Sequence, residues 1–178
     1  IEDITIKDCW GDCIYIGYTT TPATNVTLRN LTLDGGSRQG ISITSAKNVV
    51  IENCEIKNVS RTAPQSGIDI EPNADSVVDN IVIKNCNILN CGGWGIQLFN
   101  KHIESINNIY IQNVIIDGCK SGLGSGKLNI VGLTIDSVVI KNHTMRGLTL
   151  MPTDDETSEV DLSHIRNVNV TNVYVDVP

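Results

Sequence analysis

The sequence predicts an all-β fold, a solenoid of about seven parallel coils, and three observations predict it. First, a template of Asn, apolar, x, apolar, x, Asn, apolar, x, apolar recurs along the chain. It begins at Asp3-Ile4, Asn25-Val26, Asn48-Val49, Asn80-Ile81, Asn108-Ile109, Gly132-Leu133 and Asn167-Val168, with successive apolar starts 22, 23, 32, 28, 24 and 35 residues apart. A period of this size marks stacked supersecondary units. Second, a shorter frame of glycine, apolar, polar, apolar recurs at Gly40-Ile41-Ser42-Ile43, Gly67-Ile68-Asp69-Ile70, Gly95-Ile96-Gln97-Leu98 and Gly147-Leu148-Thr149-Leu150. Cys13-Ile14-Tyr15-Ile16 and Lys127-Leu128-Asn129-Ile130 share that frame without the glycine. Third, no stretch between these strands carries an apolar 3.6-residue period, which argues against a leucine-rich repeat.

Each coil then reads in order. The second Asn column is Asp8, Asn30, Asn53, Asn85, Asn113, Ser137 and Asn172. Asparagine tolerates the left-handed conformation of a tight bend, and stacked amides bond from coil to coil. The next column, Cys9, Leu31, Cys54, Cys86, Val114, Val138 and Val173, reads as core. Alternation turns the following residue outward and the one after it inward, to Leu33, Ile56, Ile88, Ile116, Ile140 and Val175. The apparent glycosylation acceptors Asn25-Val26-Thr27 and Asn58-Val59-Ser60 are assigned to this ladder, on the expectation that its bends are buried. Cys54 and Cys86, like Cys91 and Cys119, occupy one column on consecutive coils. No metal spacing is present, so the six cysteines read as free thiols filling the core, made in a reducing compartment.

Composition bounds the function. The chain of 178 residues suits one domain with its own core. A net charge of -7 without a basic run excludes a nucleic-acid surface. No apolar run reaches membrane-spanning length and the N-terminus shows no signal-peptide pattern. The chain opens on strand-like Ile4-Thr5-Ile6 without a start methionine, and reads as a mature product or a piece of a longer solenoid.

The run Asn-apolar-x-apolar-x-Asn-Cys-x-Ile followed by Gly-Ile-x-Ile resembles the repeats of the right-handed parallel β-helix, or pectate-lyase-like, superfamily. Gly67-Ile68-Asp69-Ile70-Glu71-Pro72 is similar to segments of bacterial polysaccharide-degrading β-helices and bacteriophage tailspikes. The resemblance implies a right-handed β-helix on a glycan, at a cell exterior or virion surface. It does not choose among lyases, hydrolases, epimerases, esterases and adhesins. The Asn-Thr-Asp, Asp-Asp and Gly-His-Gly signatures of polygalacturonases are absent. So are the Arg-x-Pro-x-x-Arg motif of pectate lyases and the Asp-Pro-His-Glu of alginate epimerases.

Among the six copies of the shorter frame, only that of Asp69 and Glu71 turns two carboxylates outward. Enlarged segments flank this strand, Val59 to Gln65 and Cys119 to Ser125 before it. Tyr18 to Thr24, Pro72 to Asp79, Asn100 to Asn107 and Met151 to Arg166 follow it; together they predict a walled groove. Stacking predicts Tyr15, Ser42, Gln97, Asn129 and Thr149 in the column of Asp69. It predicts Gly17, Thr44, Phe99, Val131 and Met151 in that of Glu71. The strip Phe99, Val131, Met151 needs a cover, either the Met151 to Arg166 excursion, a sugar ring, or another chain in a homotrimer like those of tailspikes. Asp69 and Glu71 are the catalytic candidates for glycoside hydrolysis ahead of elimination. Glu71, beside Phe99, is the expected acid and Asp69 the base or nucleophile. Tyr15, Arg61, Trp94, Gln97, Phe99 and Lys101 are the candidate substrate contacts, and Ser42 is expected to be inert. No motif calls for a cofactor or metal; Asp154-Asp155-Glu156 lacks the spacing of a calcium loop. His102, His143 and His164 are scattered, His143 falling in the core column of Cys91 and Cys119. The rival reading is a non-catalytic adhesin or structural shaft.

Overall fold

A five-residue rhythm of left-handed bends sets the geometry of the solenoid. The computed structural model describes residues 1–17, 21–100, 106–152 and 165–176, and these residues hold fifteen β-strands. Three bend columns cross the coils. The first two hold the template asparagines, and a third, five residues further on, holds Asp8, Gly35, Asn58, Asn90, Gly118 and Asn142. Their φ values lie between 51° and 58° for every non-glycine member, with 82°, 68° and 80° at Gly35, Gly118 and Gly132. Glycine, asparagine and aspartate visit this region at the lowest cost, which accounts for the composition of the columns apart from Ser137. Amide donors link the bends: Asn48 to Asn25 at 3.1 Å, Asn80 to Asn48 at 2.9 Å, and Asn113 to Asn85 at 2.8 Å. Asn25 and Asn58 are exposed rather than buried, so the amide ladder, not burial, is what occupies them.

Two parallel sheets result. The first comprises β1 (Thr5–Lys7), β3 (Ala23–Arg29), β4 (Thr32–Asp34), β6 (Ala46–Glu52), β7 (Glu55–Lys57), β9 (Val78–Leu89), β11 (Ile106–Asp117), β13 (Ile130–Lys141) and β15 (Ile165–Val175). In the early coils the middle bend splits it into β3 and β4, or β6 and β7; from β9 onward each strand runs through. The second sheet has the order β14 (Arg146–Pro152), β12 (Ser121–Leu128), β10 (Trp94–Leu98), β8 (Ser66–Ile70), β5 (Gln39–Ile43) and β2 (Ile14–Ile16). Leu28, Ile51, Ile83, Ile111 and Ile135 form one fully buried inner column of the first sheet, and Ile41, Ile68, Ile96 and Leu123 form another in the second. Each buried side chain of this size contributes about 1.5–3 kcal/mol.

The glycine frame is a packing requirement. A Cβ at Gly40, Gly67, Gly95, Gly122 or Gly147 would lie 2.4–2.5 Å from a Cγ of Ile56, Ile88, Ile116, Ile140 or Val175, the last core column of the first sheet. The two sheets therefore close on each other where the glycines stand.

Three expectations are corrected. The count is about five full turns after a partial coil, not seven. Thr5 and Ile6 pair with Thr32 and Leu33, which moves Asp3 beside Asn30 and Asp8 beside Gly35. Cys9 accordingly joins the column of Cys91 and Cys119. Next, Gly122-Leu123-Gly124-Ser125, not Lys127-Leu128-Asn129-Ile130, carries the fifth copy of the frame: Leu123 pairs with Ile96 and Leu148. Gly124 thus replaces Asn129 in the column of Asp69. Finally, Val131 pairs with Asn107 and Arg166 in the first sheet, so Phe99, Val131 and Met151 do not form one strip. All six cysteines are free, as expected, with Cys54, Cys86, Cys91 and Cys119 buried and Cys9 and Cys13 half-buried.

Candidate active site

The outer face of the second sheet presents two polar rows. Parallel pairing aligns Tyr15, Ser42, Asp69, Gln97, Gly124 and Thr149 in one row. Neighbouring members are about 4.8 Å apart, the spacing of adjacent strands. Three residues earlier on each coil, Gln39, Ser66, Trp94, Ser121 and Arg146 form the other, with Asp12 at its head. The inward-turned glycines lie between the rows, so the rows converge over a narrow floor.

Asp69 is the centre of this face. It is only 2% exposed. The Gln39 amide donates from Nε2 to Asp69 Oδ2 at 2.5 Å, while Oδ1 has no hydrogen-bond partner among the described residues. Burial, and then the neighbouring charge of Glu71, push the Asp69 carboxyl from its ordinary 3.8 up to about 7, with Arg38 opposing and Asp12 adding. Desolvation is the leading cause, since an ionised carboxylate with the single Gln39 donor is poorly stabilised away from water. Glu71, half-buried, follows on the same side of the strand and leads into the turn at Pro72 and Asn73.

A third carboxylate completes the cluster. Asp12 accepts both contacts of the Arg38 Nη1, at 3.2 and 3.0 Å, and its Oδ2 also accepts the Ser42 hydroxyl at 2.8 Å. The Tyr15 hydroxyl lies 2.8 Å from Thr44 Oγ1. Tyr15, Arg38, Ser42, Thr44, Asp69 and Glu71, with the turn residues, line a recess of about 380 Å³. Beside it lies a second recess of about 310 Å³, whose lining includes Trp94, Gln97, Lys120 and Arg146. Ser66 Oγ donates to Oε1 of Gln97 at 2.8 Å and fixes that lining residue of the second recess. A further recess of about 300 Å³, over Tyr110 and Asp136, lies on the opposite sheet, away from the paired carboxylates.

The residues singled out in the sequence divide accordingly. Asp69, Glu71 and Tyr15 meet in the first recess, and Trp94 and Gln97 in the second. Phe99 follows Glu71 by one coil, its N–H donating to Ile70 O at 2.9 Å, but it is half-buried and lines neither recess. Arg61 is exposed and lines neither. Lys101, His102, His164, Asp154, Asp155 and Glu156 lie outside the described residues. His143 is buried in the Cys91 and Cys119 column, as expected, with Nδ1 unpartnered among the described residues. Ser42, expected to be inert, donates its hydroxyl to Asp12. The deeper burial belongs to Asp69 rather than Glu71, the opposite of the expectation that Glu71 is the shielded carboxyl. Asp12, Gln39, Lys120 and Arg146 are the residues the sequence reading missed. Arg38 is ion-paired with Asp12. The available signal was register: Asp12 and Gln39 each stand two residues before the first apolar residue of their strands.

Fold and face together define a parallel β-solenoid with a carboxylate-bearing recess on one sheet. The chain belongs to the right-handed β-helix family, whose model (right handed beta helix region) matches residues 1–159. It is 28% identical over 134 residues to the SPbeta prophage-derived uncharacterized protein YorA of Bacillus subtilis (strain 168). That match covers 66% of this chain and 23% of the relative, so the chain spans about a quarter of the relative's length. No solved structure matches.

Proposed function

We propose that this β-helix cleaves a polysaccharide, by glycoside hydrolysis in preference to β-elimination. The observation that carries the reading is the pairing of a buried carboxyl, Asp69, protonated near neutral pH, with a second carboxylate, Glu71, at a recess. Glycoside hydrolysis needs one carboxyl that donates a proton to the leaving oxygen and another that activates water or attacks the sugar. Asp69 suits the first role and Glu71 the second. Tyr15 offers an exposed ring to a sugar face, as Trp94 does in the next recess. Lys120 and Arg146 are placed to hold acidic substituents. Elimination needs a base and a charge neutraliser, and Arg38, already paired with Asp12, is poorly free to neutralise a uronate. The prophage origin of the relative supports placement outside the cell or on a virion.

The rival reading, a glycan-binding adhesin or a shaft, is favoured by one observation. Asp69 is so enclosed that Gln39 alone satisfies one of its oxygens. The test is cleavage of a panel of capsular and plant polysaccharides, followed as new reducing ends and as ultraviolet absorbance of unsaturated products. Asp69→Asn and Glu71→Gln should each lower turnover at least about 10²-fold. Thr149→Ala, in the same row three coils away, is the control. If both amide variants cleave as the wild type does, the carboxylates are not catalytic.

A further inference from the structure

We infer that Gln39 is the positioning residue of this site: it fixes the transferable proton of Asp69 on Oδ1. The inference rests on the reading of Asp69 as the acid. The backbone N–H of Ser66 donates at 2.8 Å to one terminal atom of the Gln39 side chain, which must therefore be its oxygen. The other terminal atom is then the NH₂, and it faces Asp69 Oδ2 at 2.5 Å. An amide NH₂ only donates, so Oδ2 accepts and cannot carry a proton toward it. When Asp69 holds a proton, Oδ1 holds it, and Oδ1 is a solvent-shielded atom with no partner among the described residues, so a substrate must enter the recess closely to take that proton. Gln39 is itself wholly buried, so solvent does not compete for either of its bonds.

The consequence is a directional acid. Ser66 orients Gln39, Gln39 orients Asp69, and the remaining O–H is the one group of the three left unpaired. In the cleavage step the Oδ1–H bond breaks and a new O–H bond forms on the glycosidic oxygen. The C–O bond to the sugar breaks with its electron pair on that oxygen. Glu71 supplies electrons to the sugar carbon, directly or by deprotonating water. The charged groups facing Asp69 are Glu71 on its own strand side, Arg38 at the preceding coil and Asp12 one coil further back; the following coil presents neutral Gln97.

The test titrates Asp69 directly, by carboxyl ¹³C NMR of aspartate-labelled protein, with Asp69→Asn used for assignment. Gln39→Met keeps the length of the side chain and removes its donor. The ionised form then loses its one hydrogen bond, and Asp69 should titrate at least about one pH unit higher. The alkaline limb of the cleavage profile should move up with it. Gln39→Glu keeps an acceptor for Ser66 but must share a proton with Oδ2. It should titrate with Asp69 as a pair in two steps, and cleavage should fall about 10²-fold. A merely structural glutamine would lower stability in both variants and leave the titration of Asp69 where it was; that result overturns the inference. Should Gln39→Met not fold, the one-step or two-step titration of Gln39→Glu decides alone. Loss of the proposed function reads differently: Asp69→Asn would then cleave as well as the wild type, whatever the Gln39 variants do.

Discussion

At the scale of single residues, Asp69 links stability to pH. Its carboxyl titrates near 7 in the folded chain and near 3.8 when exposed. The folded state therefore binds more protons than the unfolded state between these values, and stability falls as pH rises through that window. A shift of this size corresponds to a loss on the order of 4 kcal/mol, complete above about pH 7. Asp69→Asn carries no ionisable group yet keeps an acceptor for Gln39 and a donor in place of the Oδ1 proton. Thermal unfolding should thus show little difference between variant and wild type at pH 4, and a more stable variant at pH 8. Equal stabilities at both pH values would mean that Asp69 is better solvated than its burial implies. That gain in stability with loss of turnover is the pattern of a strained functional group rather than of a surface pair.

At the scale of elements, the glycine column makes the sharpest demand. Gly67 has no left-handed backbone to explain it; a Cβ there would meet Ile88 Cγ2 at 2.4 Å and the Gly95 carbonyl at 2.7 Å. Gly67→Ala should destabilise by about 1–3 kcal/mol in chemical denaturation, the range of overpacked cores. Gly11→Ala, where a Cβ meets nothing within 4 Å, should leave the midpoint unchanged. The same column explains what the sequence did and did not disclose. From Val26 onward the strands were legible, because core positions that repeat on every coil must stay apolar. The first coil was misaligned because Asp3 and Asp8 keep the five-residue bend rhythm equally well one column early. The copy at Gly122 was missed because Ser125 stands where the frame expects an apolar residue, and contact with Ile140 selects the glycine instead. Of the site, Asp69 and Glu71 stood out as paired carboxylates. Asp12, Gln39 and Arg146 did not, since they belong to a row without a repeating residue type, and Lys120 stands beside that row, next to Ser121.

At the scale of the whole molecule, the fold is a stack in which each coil touches only its neighbours, and its core is continuous from Ile14 to Ile140. The thiols report on that core from two depths. Cys54 and Cys86 fill one inner column on adjacent coils, and Cys91 and Cys119 another, all nearly inaccessible. Cys9 and Cys13 are half-buried. Reactivity needs both access and the thiolate form. Burial and the proximity of Cys9 push the Cys13 thiol up to about 12, so it should react more slowly than its exposure alone suggests. Titration with an aromatic disulfide reagent at pH 8 should therefore count at most two thiols in the native protein, with one slow. All six should appear once guanidinium opens the stack without reductant. A native count above two would mean that the central coils breathe independently of the ends. A denatured count below six would mean that the columns hold disulfides and that the thiols are not the small apolar fillers their packing indicates.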